Sequence, residues 1–179
     1  MIYTATHPSP LGKLTLACDG EHLTGLWTEG QKYFGAALPE GAQARDGLPV
    51  FRAAKDWLER YFSGAWPAPD ELPLRPTGGE FRQTVWRILC RIPYGEVATY
   101  GAVARQAAEV LGRKSMSGQA VGGAVGHNPI SIIIPCHRVV GADGSLTGYA
   151  GGVARKVRLL ELEGVDMSRL FVPKKGTAL

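Results

Sequence analysis

Cys136, His137 and Arg138 follow one another directly after a proline, and their side chains could together support covalent chemistry. A thiol is a strong nucleophile only as its thiolate, which nearby positive charge or a neighbouring base favours. The imidazole and the guanidinium place both kinds of group beside one thiol. Two interpretations are open at this point: a nucleophilic Cys136, or a buried structural cysteine with an unrelated histidine neighbour.

The cysteine count favours free thiols over a disulfide framework or a zinc finger. The sequence holds 3 Cys, an odd number, and contains no C-x-x-C spacing. Neither a signal peptide nor an apolar run of membrane-spanning length is recognisable. We therefore expect a cytoplasmic protein in a reducing environment, without membrane association.

Charge is distributed unevenly along the 179 residues. Residues 1–80 hold 7 Lys and Arg against 10 Asp and Glu, whereas residues 81–179 hold 13 against 6. The net charge of +4 therefore combines an acidic first part with a basic second part. A basic C-terminal part suits a nucleic-acid partner, although basic residues scattered over a solvated surface explain the numbers equally well.

The N-terminal part is predicted to form a small antiparallel sheet followed by a helix. Alternating segments at residues 2–6, 13–18 and 23–28 are typical of strands joined by tight turns. An apolar stripe at i, i+3 and i+4 spacing predicts a helix over residues 48–62. Residues 64–79 contain four prolines, which indicate a linker between two lobes or, alternatively, a loop on one domain's surface.

The C-terminal part is predicted to be mostly helical. An apolar face begins at Phe81, Thr99 is suited to cap a helix over residues 100–110, and Ser115 or Ser117 to cap another that runs to about residue 126. Two short helices joined by a glycine-containing turn are typical of a helix-turn-helix. Residues 130–134, apolar except for Ser131, predict a strand that Pro135 ends.

The second helix of this pair is unusually rich in glycine, with four glycines between residues 118 and 126. Each glycine costs about 1 kcal/mol relative to alanine in a helix, so the backbone is expected to approach something closely. Close packing against a neighbouring helix is the favoured explanation on this evidence, and a DNA backbone or groove is the functional one.

Several ordered motifs resemble those of the O6-alkylguanine-DNA alkyltransferases, which are suicide DNA-repair proteins. Residues 134–140 (IPCHRVV) resemble the active-site signature of that family. The family's other blocks are matched by residues 94–100 (YGEVATY), residues 120–124 (AVGGA) with Asn128-Pro129, residues 144–152 (GSLTGYAGG) and residues 155–164 (RKVRLLELEG). The resemblance is strong over residues 81–164 and looser toward the N-terminus.

This resemblance implies an α+β fold with two lobes. Residues 1–64 would form a ribonuclease H-like lobe with a small antiparallel sheet and a helix, and residues 65–79 would be the linker. Residues 80–179 would form the mostly helical DNA-binding and alkyl-acceptor domain, with a winged-helix-like helix-turn-helix.

The resemblance also assigns roles in an irreversible, single-turnover transfer. Cys136 would attack the alkyl carbon on O6 of a guanine rotated out of the duplex. His137 would act through a water as the base that forms the thiolate, and Glu163 would orient His137. Tyr100 would give a proton or hydrogen bond to N3 of the leaving guanine, and O4-alkylthymine would be a further substrate.

The remaining implied contacts bind the base and the DNA. Tyr149 and the backbone of Ala150 would line the pocket, the Val139 carbonyl would accept from the exocyclic amine, and Asn128 would brace the turn before the active-site strand. Arg138 would anchor structure.

DNA would be approached through its minor groove, with the small residues Ala120 and Gly123 close to it and Arg113 and Lys114 on phosphates. The family usually carries an arginine that enters the vacated stack, and Gln119 stands at that position. Because glutamine has no charge and a weaker stacking plane, we expect slower or weaker base flipping.

No cofactor and no metal are expected. Some relatives bind structural zinc through Cys and His near the N-terminus, but Cys18 and His22 lack the other partners. We expect a monomer, with clustering on DNA left open. The alternative functions are a non-catalytic alkylated-DNA-binding protein, in which the cysteine is commonly replaced by tryptophan, and a helix-turn-helix regulator.

Overall fold

Five α-helices and six β-strands make up the regular structure of the computed structural model, which describes residues 1–36 and 38–174. The strands are β1 (Tyr3–His7), β2 (Leu14–Cys18), β3 (Leu23–Thr28), β4 (Gln43–Ala44), β5 (Ala98–Thr99) and β6 (Val139–Val140). The helices are α1 (Pro49–Phe62), α2 (Glu80–Leu89), α3 (Tyr100–Val110), α4 (Gly118–Gly126) and α5 (Val153–Leu162). This architecture confirms the predicted α+β class.

Two compact units divide the chain. The first comprises Met1–Thr77 with Pro129–Ile133, and the second comprises Gly78–Asn128 and the chain from Ile134 onward. The lobe limits expected from sequence, 1–64, 65–79 and 80–179, stay a prediction, and residues 175–179 of the last lobe lie outside the described residues. Within the described ranges, no helix is long and apolar enough to cross a membrane.

The first unit is built on a four-stranded sheet in the order β3-β2-β1-β4. The predicted antiparallel pairing of the first three strands is confirmed, with Ala5 opposite Leu16 and Leu16 opposite Leu26. β4 pairs parallel to β1 and was not predicted, because two exposed residues carry no alternating pattern. α1 begins one residue later than expected and buries the predicted stripe, with Trp57 and Leu58 almost inaccessible to solvent.

The helices α2, α3 and α4 pack against one another in the second unit. Thr99 caps α3 by accepting a hydrogen bond from the Ala102 amide at 3.1 Å, as predicted. Ser117, one of the two predicted candidates, caps α4 through the Ala120 amide. The indole of Trp86 on α2 donates to the Ala124 carbonyl at 2.9 Å, which fixes α4 against α2.

The predicted strand over residues 130–134 is wrong. Only Ile130 forms a bridge, with Leu26, and residues 131–133 turn, with Ile132 at a φ of 71°. A run of apolar residues indicates that a segment is buried, and a buried turn shows the same run as a buried strand. The strand in this region is instead β6, which begins at Val139. It pairs parallel to β5, with Ala98 opposite Val139.

Candidate active site

Cys136 lies in a single 3₁₀ turn, Cys136–Arg138, that follows Pro135. The turn closes through hydrogen bonds from the Cys136 amide to Ile134 O (2.8 Å) and from the Arg138 amide to Pro135 O (3.0 Å). Its side chains are buried, and Cys136 is 3% exposed. The rigid corner predicted at Pro135 is therefore made by a helical turn, and it holds the thiol inside the second unit.

His137 and Glu163 form a buried hydrogen bond, with His137 Nε2 and Glu163 Oε1 2.6 Å apart. Glu163 stands at the end of α5, so the fold joins residues 26 positions apart. An ionised carboxylate only accepts hydrogen bonds, and the imidazole therefore carries its proton on Nε2. Nδ1 is then the basic nitrogen, and it is buried without a hydrogen-bond partner among the described residues.

Arg138 binds the same carboxylate from a second side. Its Nε and Nη2 donate to Glu163 Oε2 (2.7 Å) and Oε1 (3.0 Å), and Nη1 donates to the Ile92 carbonyl at 2.6 Å. The guanidinium also lies over the Tyr94 ring, 4.2 Å from its centroid. This bidentate pair fixes the carboxylate that faces His137.

Burial keeps His137 neutral, although the Glu163 carboxylate beside it raises the pKa of the imidazole. Burial alone would raise the pKa of Glu163, but His137 and Arg138 together lower it to about 2. Burial lowers the pKa of His137 because a charged imidazole would be desolvated, and the nearby positive charge of Arg138 acts in the same direction. At neutral pH the site thus contains a neutral imidazole whose free nitrogen can accept a proton.

Asn128 contacts both the turn and the thiol. Its Nδ2 donates to Ile134 O at 2.8 Å and to Cys136 Sγ at 3.2 Å. Burial raises the pKa of the Cys136 thiol, whereas the amide hydrogen bond favours the thiolate and lowers it. Asn128 therefore hydrogen-bonds both the segment that leads into the Cys136 turn and the sulfur itself.

Two tyrosines, Tyr100 and Tyr149, lie close enough to Cys136 to interact with it electrostatically. Tyr100 is the first residue of α3, and its hydroxyl donates to the Thr147 carbonyl at 3.1 Å. The Tyr149 ring stands nearly perpendicular to the His137 ring, with centroids 6.3 Å apart, and its buried hydroxyl has no hydrogen-bond partner among the described residues. Burial raises the pKa of Tyr100 to about 12 and that of Tyr149 well above 10, so both hydroxyls keep their protons.

The loop that carries Tyr149 depends on two glycines. A Cβ at Gly144, whose φ is 91°, would lie 2.1 Å from the Arg169 carbonyl oxygen, and one at Gly151 would lie 2.6 Å from the Tyr149 ring. No larger residue fits either position without movement. Ala150 is half-buried beside Tyr149, and Val139 is fully buried in β6.

Comparison with known proteins identifies relatives over almost the whole chain. Residues 2–76 match the family model "6-O-methylguanine DNA methyltransferase, ribonuclease-like domain", and residues 80–165 match the DNA binding domain of the same family. The chain belongs to the 6-O-methylguanine DNA methyltransferase family. This confirms the family that the sequence motifs resemble.

Individual relatives agree with this assignment. The chain is 43% identical to a methylated-DNA–protein-cysteine methyltransferase of Haemophilus influenzae, over 92% of this chain and 87% of that protein. Identity to the Mycobacterium tuberculosis protein of the same name is 47%, over 91% and 93%. A crystal structure of Mycobacterium tuberculosis OGT in complex with DNA matches with a TM-score of 0.79 and 42% identity, covering 94% of each chain.

The predicted DNA-contacting residues of this methyltransferase family member lie in α4 and in the segment that precedes it. Gln119, Arg113 and Lys114 are exposed, and Ala120 and Gly123 are half-buried. A Cβ at Gly122 would meet the Tyr100 ring at an ordinary 3.9 Å, and one at Gly123 would meet nothing within 4 Å. Close helix packing, the explanation favoured from sequence, therefore does not account for Gly123.

Lys156 is the site residue that sequence reasoning missed. Its side chain is fully buried, and its Nζ donates to the carbonyls of Val139 (2.5 Å) and Thr147 (2.8 Å). The available signal was its spacing: Lys156 shares the buried stripe of α5 with Leu159 and Leu160. A lysine at an apolar position of an amphipathic helix indicates a buried charge.

Metal ligands are not gathered here. Among residues 1–36 and 38–174, no group of three or more His, Cys, Asp or Glu side chains could hold a metal ion. Cys18 is buried in β2, and His22 contacts Asp19.

Proposed function

We propose that Cys136 is the alkyl acceptor of a single-turnover DNA-repair reaction on O6-alkylguanine. As a family member, the protein is a methyltransferase that repairs DNA by alkyl transfer to a cysteine of its own chain. The observation that carries the choice of Cys136 is the buried group around it. Asn128 donates to its sulfur, and the neighbouring His137 is held neutral, its basic nitrogen having no hydrogen-bond partner among the described residues.

The proposed step begins with removal of the thiol proton. His137 Nδ1 accepts it through a water, and the Asn128 amide stabilises the thiolate that forms. Glu163 and Arg138 keep the imidazole in the required tautomer, so that their role is orientation and charge balance. The protein's own residues therefore supply the base, and the reaction uses no cofactor.

The thiolate then displaces the alkyl group in line. The S–C bond forms as the C–O6 bond breaks, and the electron pair of that bond stays with guanine. Tyr100 gives its proton to N3, so guanine leaves neutral, and the proton that His137 took from the thiol passes through water to the Tyr100 phenolate, which restores both side chains. The thioether on Cys136 has no route back to a thiol, which limits each chain to one event.

The flipped base would bind against the Tyr149 loop. Tyr149 and the Ala150 backbone would line the base pocket, and the Tyr149 hydroxyl, which has no hydrogen-bond partner among the described residues, would be available to the base. The Val139 carbonyl already accepts from Lys156, and its second lone pair can accept from the exocyclic amine. O4-alkylthymine presents the same alkyl–oxygen bond and is proposed as a second substrate.

DNA is the partner, and we place its minor groove against α4. The exposed Arg113 and Lys114 suit phosphates, and the open space beside Gly123 suits a close backbone approach. Gln119 stands in the first turn of α4, where it would fill the stack. If Gln119→Arg leaves both DNA affinity and repair rate unchanged, glutamine does not limit base flipping. We propose that the protein acts as a cytoplasmic monomer.

Mass spectrometry of the intact protein tests this function. After incubation with duplex DNA containing O6-methylguanine, the wild-type chain should gain about 14 Da, the mass of one methyl group replacing a hydrogen. Cys136→Ser should gain nothing, and Cys90→Ser, the matched control at a half-buried cysteine, should behave as wild type. DNA binding without any mass gain in the wild type would instead indicate a non-catalytic reader of alkylated DNA.

A further inference from the structure

Lys156 is a buried cation whose position calls for a role beyond packing. Its side chain is fully buried, and within the described part of the chain its Nζ bonds only two backbone carbonyls. Lysine is almost never fully buried without a paired charge, because desolvation of the ammonium is costly. An apolar residue at this position of the buried stripe of α5 would avoid that desolvation cost, so the presence of a charge requires an explanation.

The two carbonyls belong to the two segments that form the site. Val139 directly follows the Cys136 turn, and Thr147 lies in the loop that carries Tyr149. From α5, Lys156 therefore ties the turn to the loop. Thr147 O also accepts from the Tyr100 hydroxyl at 3.1 Å. When Tyr100 turns to a base, Lys156 keeps that carbonyl paired.

We propose that Lys156 is a positioning residue for alkyl transfer, which joins the Cys136 turn to the Tyr149 loop and favours the Cys136 thiolate through its positive charge. The inference rests on the proposed transfer to Cys136. Helix α5 would then supply two charged groups to the site, the ammonium of Lys156 and the carboxylate of Glu163 at its end.

The charges around Lys156 support this role. The titratable groups that interact with it are Cys136 and His137 of the 3₁₀ turn, and the charge of Arg138 is balanced by Glu163. Burial lowers the pKa of Lys156 to about 8, and negative charge on Cys136 raises it. By the same coupling, the ammonium lowers the pKa of Cys136, so each charge favours the other.

Three variants separate charge from packing. Lys156→Met removes the charge and the donors, Lys156→Gln keeps a donor without charge, and Lys156→Arg keeps the charge. Arg158→Met, at an exposed position of the same helix, is the matched control. The first readout is the ultraviolet absorbance of the Cys136 thiolate during pH titration without DNA, taken as the difference from Cys136→Ser. The second is the single-turnover methyl-transfer rate across the neutral and alkaline range.

We expect the Met and Gln variants to titrate about one pH unit higher and to transfer methyl about tenfold more slowly at neutral pH. The Arg variant should titrate near the wild type and recover part of the rate. The inference is overturned if the Gln variant keeps the wild-type titration and pH–rate profile, or if Arg is no closer to wild type than Gln. A wild type with this titration behaviour but no methyl transfer would contradict the proposed function alone.

Discussion

At the scale of single residues, the site is a set of buried groups that depend on one another. Glu163 accepts from both His137 and Arg138, and Asn128 and Lys156 act on the turn that carries Cys136. Each of these groups has its hydrogen-bond partner or its charge state because a neighbouring group is present. Removing one member should therefore affect both stability and chemistry, and experiments have to measure the two separately.

Replacing Glu163 with glutamine tests the proposed tautomer control. The amide can donate to the imidazole, so His137 is no longer held with its proton on Nε2, and Arg138 loses the buried negative charge that balances its own. We expect the methyl-transfer rate to fall by about 100-fold, the lower end of what a general base contributes. Glu161→Gln, an exposed carboxylate on α5, is the control. An unchanged rate in a folded Glu163→Gln protein would exclude the relay.

Acid should destabilise the protein through Glu163. Its pKa is about 2 in the fold against an ordinary 4.5, so its stabilisation is complete above about pH 4.5 and is lost as the pH falls toward 2. This difference corresponds to about 3 kcal/mol. His137 also lowers the stability of the fold as the pH falls below 6.5, its ordinary pKa. The reason is that the unfolded chain binds a proton on this imidazole more readily than the folded chain does. Urea unfolding across this range should show a steeper loss in the wild type than in Glu163→Gln, and equal slopes would contradict the assignment.

At the scale of elements, the sequence specified those whose signals are local. The apolar stripe of α1 and the caps Thr99 and Ser117 are local features, and the structure has all three. The pairing of β5 with β6 joins residues 41 positions apart through two-residue strands, which no periodicity marks. The turn at residues 131–133 was misread because burial alone does not distinguish it from a strand.

The candidate site could also be predicted in part, namely for those residues that belong to motifs visible in the sequence. The motifs gave Cys136, His137 and Glu163, since their types and order are visible in the chain. The buried ammonium of Lys156 and the open side of Gly123 depend on three-dimensional surroundings. The spacing of Lys156 in α5 was a visible signal, but its acceptors at Val139 and Thr147 are set only by the fold.

Gly123→Ala separates helix stability from DNA contact. A methyl group there meets open space, so α4 should gain up to about 1 kcal/mol from the better helix former. If DNA approaches this face, the same methyl should weaken DNA binding, measured by fluorescence anisotropy with Cys136→Ser protein. Gly47→Ala, another open position but in the first unit, should leave DNA binding unchanged. Stabilised protein with unchanged affinity would remove Gly123 from the interface.

At the scale of the whole molecule, charge is segregated along the sequence. The first 80 residues carry an excess of acidic groups, and the remainder carries a net charge of +7. The basic part contains the helices α3 and α4 and the Cys136–Arg138 turn. Attraction to phosphates therefore belongs to the same part of the chain as the chemistry.

DNA affinity should fall with salt in proportion to the phosphates contacted. Arg113→Gln and Lys114→Gln should each reduce the slope of log affinity against log salt by about 1, if each side chain holds one phosphate. Arg52→Gln and Lys32→Gln, in the acidic part of the chain, are the controls and should leave the slope unchanged. Equal slopes in all four variants would contradict the assignment of these cations to DNA.

The proposed function requires that Cys136, and neither Cys18 nor Cys90, receives the alkyl group. Proteolysis followed by tandem mass spectrometry, after reaction with duplex DNA containing O6-methylguanine, locates the methyl group among the three cysteines. We expect one methyl group per chain, found on Cys136 alone, with no further gain in mass when DNA is in excess. Methyl found on Cys18 or Cys90, or unmodified Cys136 in protein that has repaired the DNA, would contradict it.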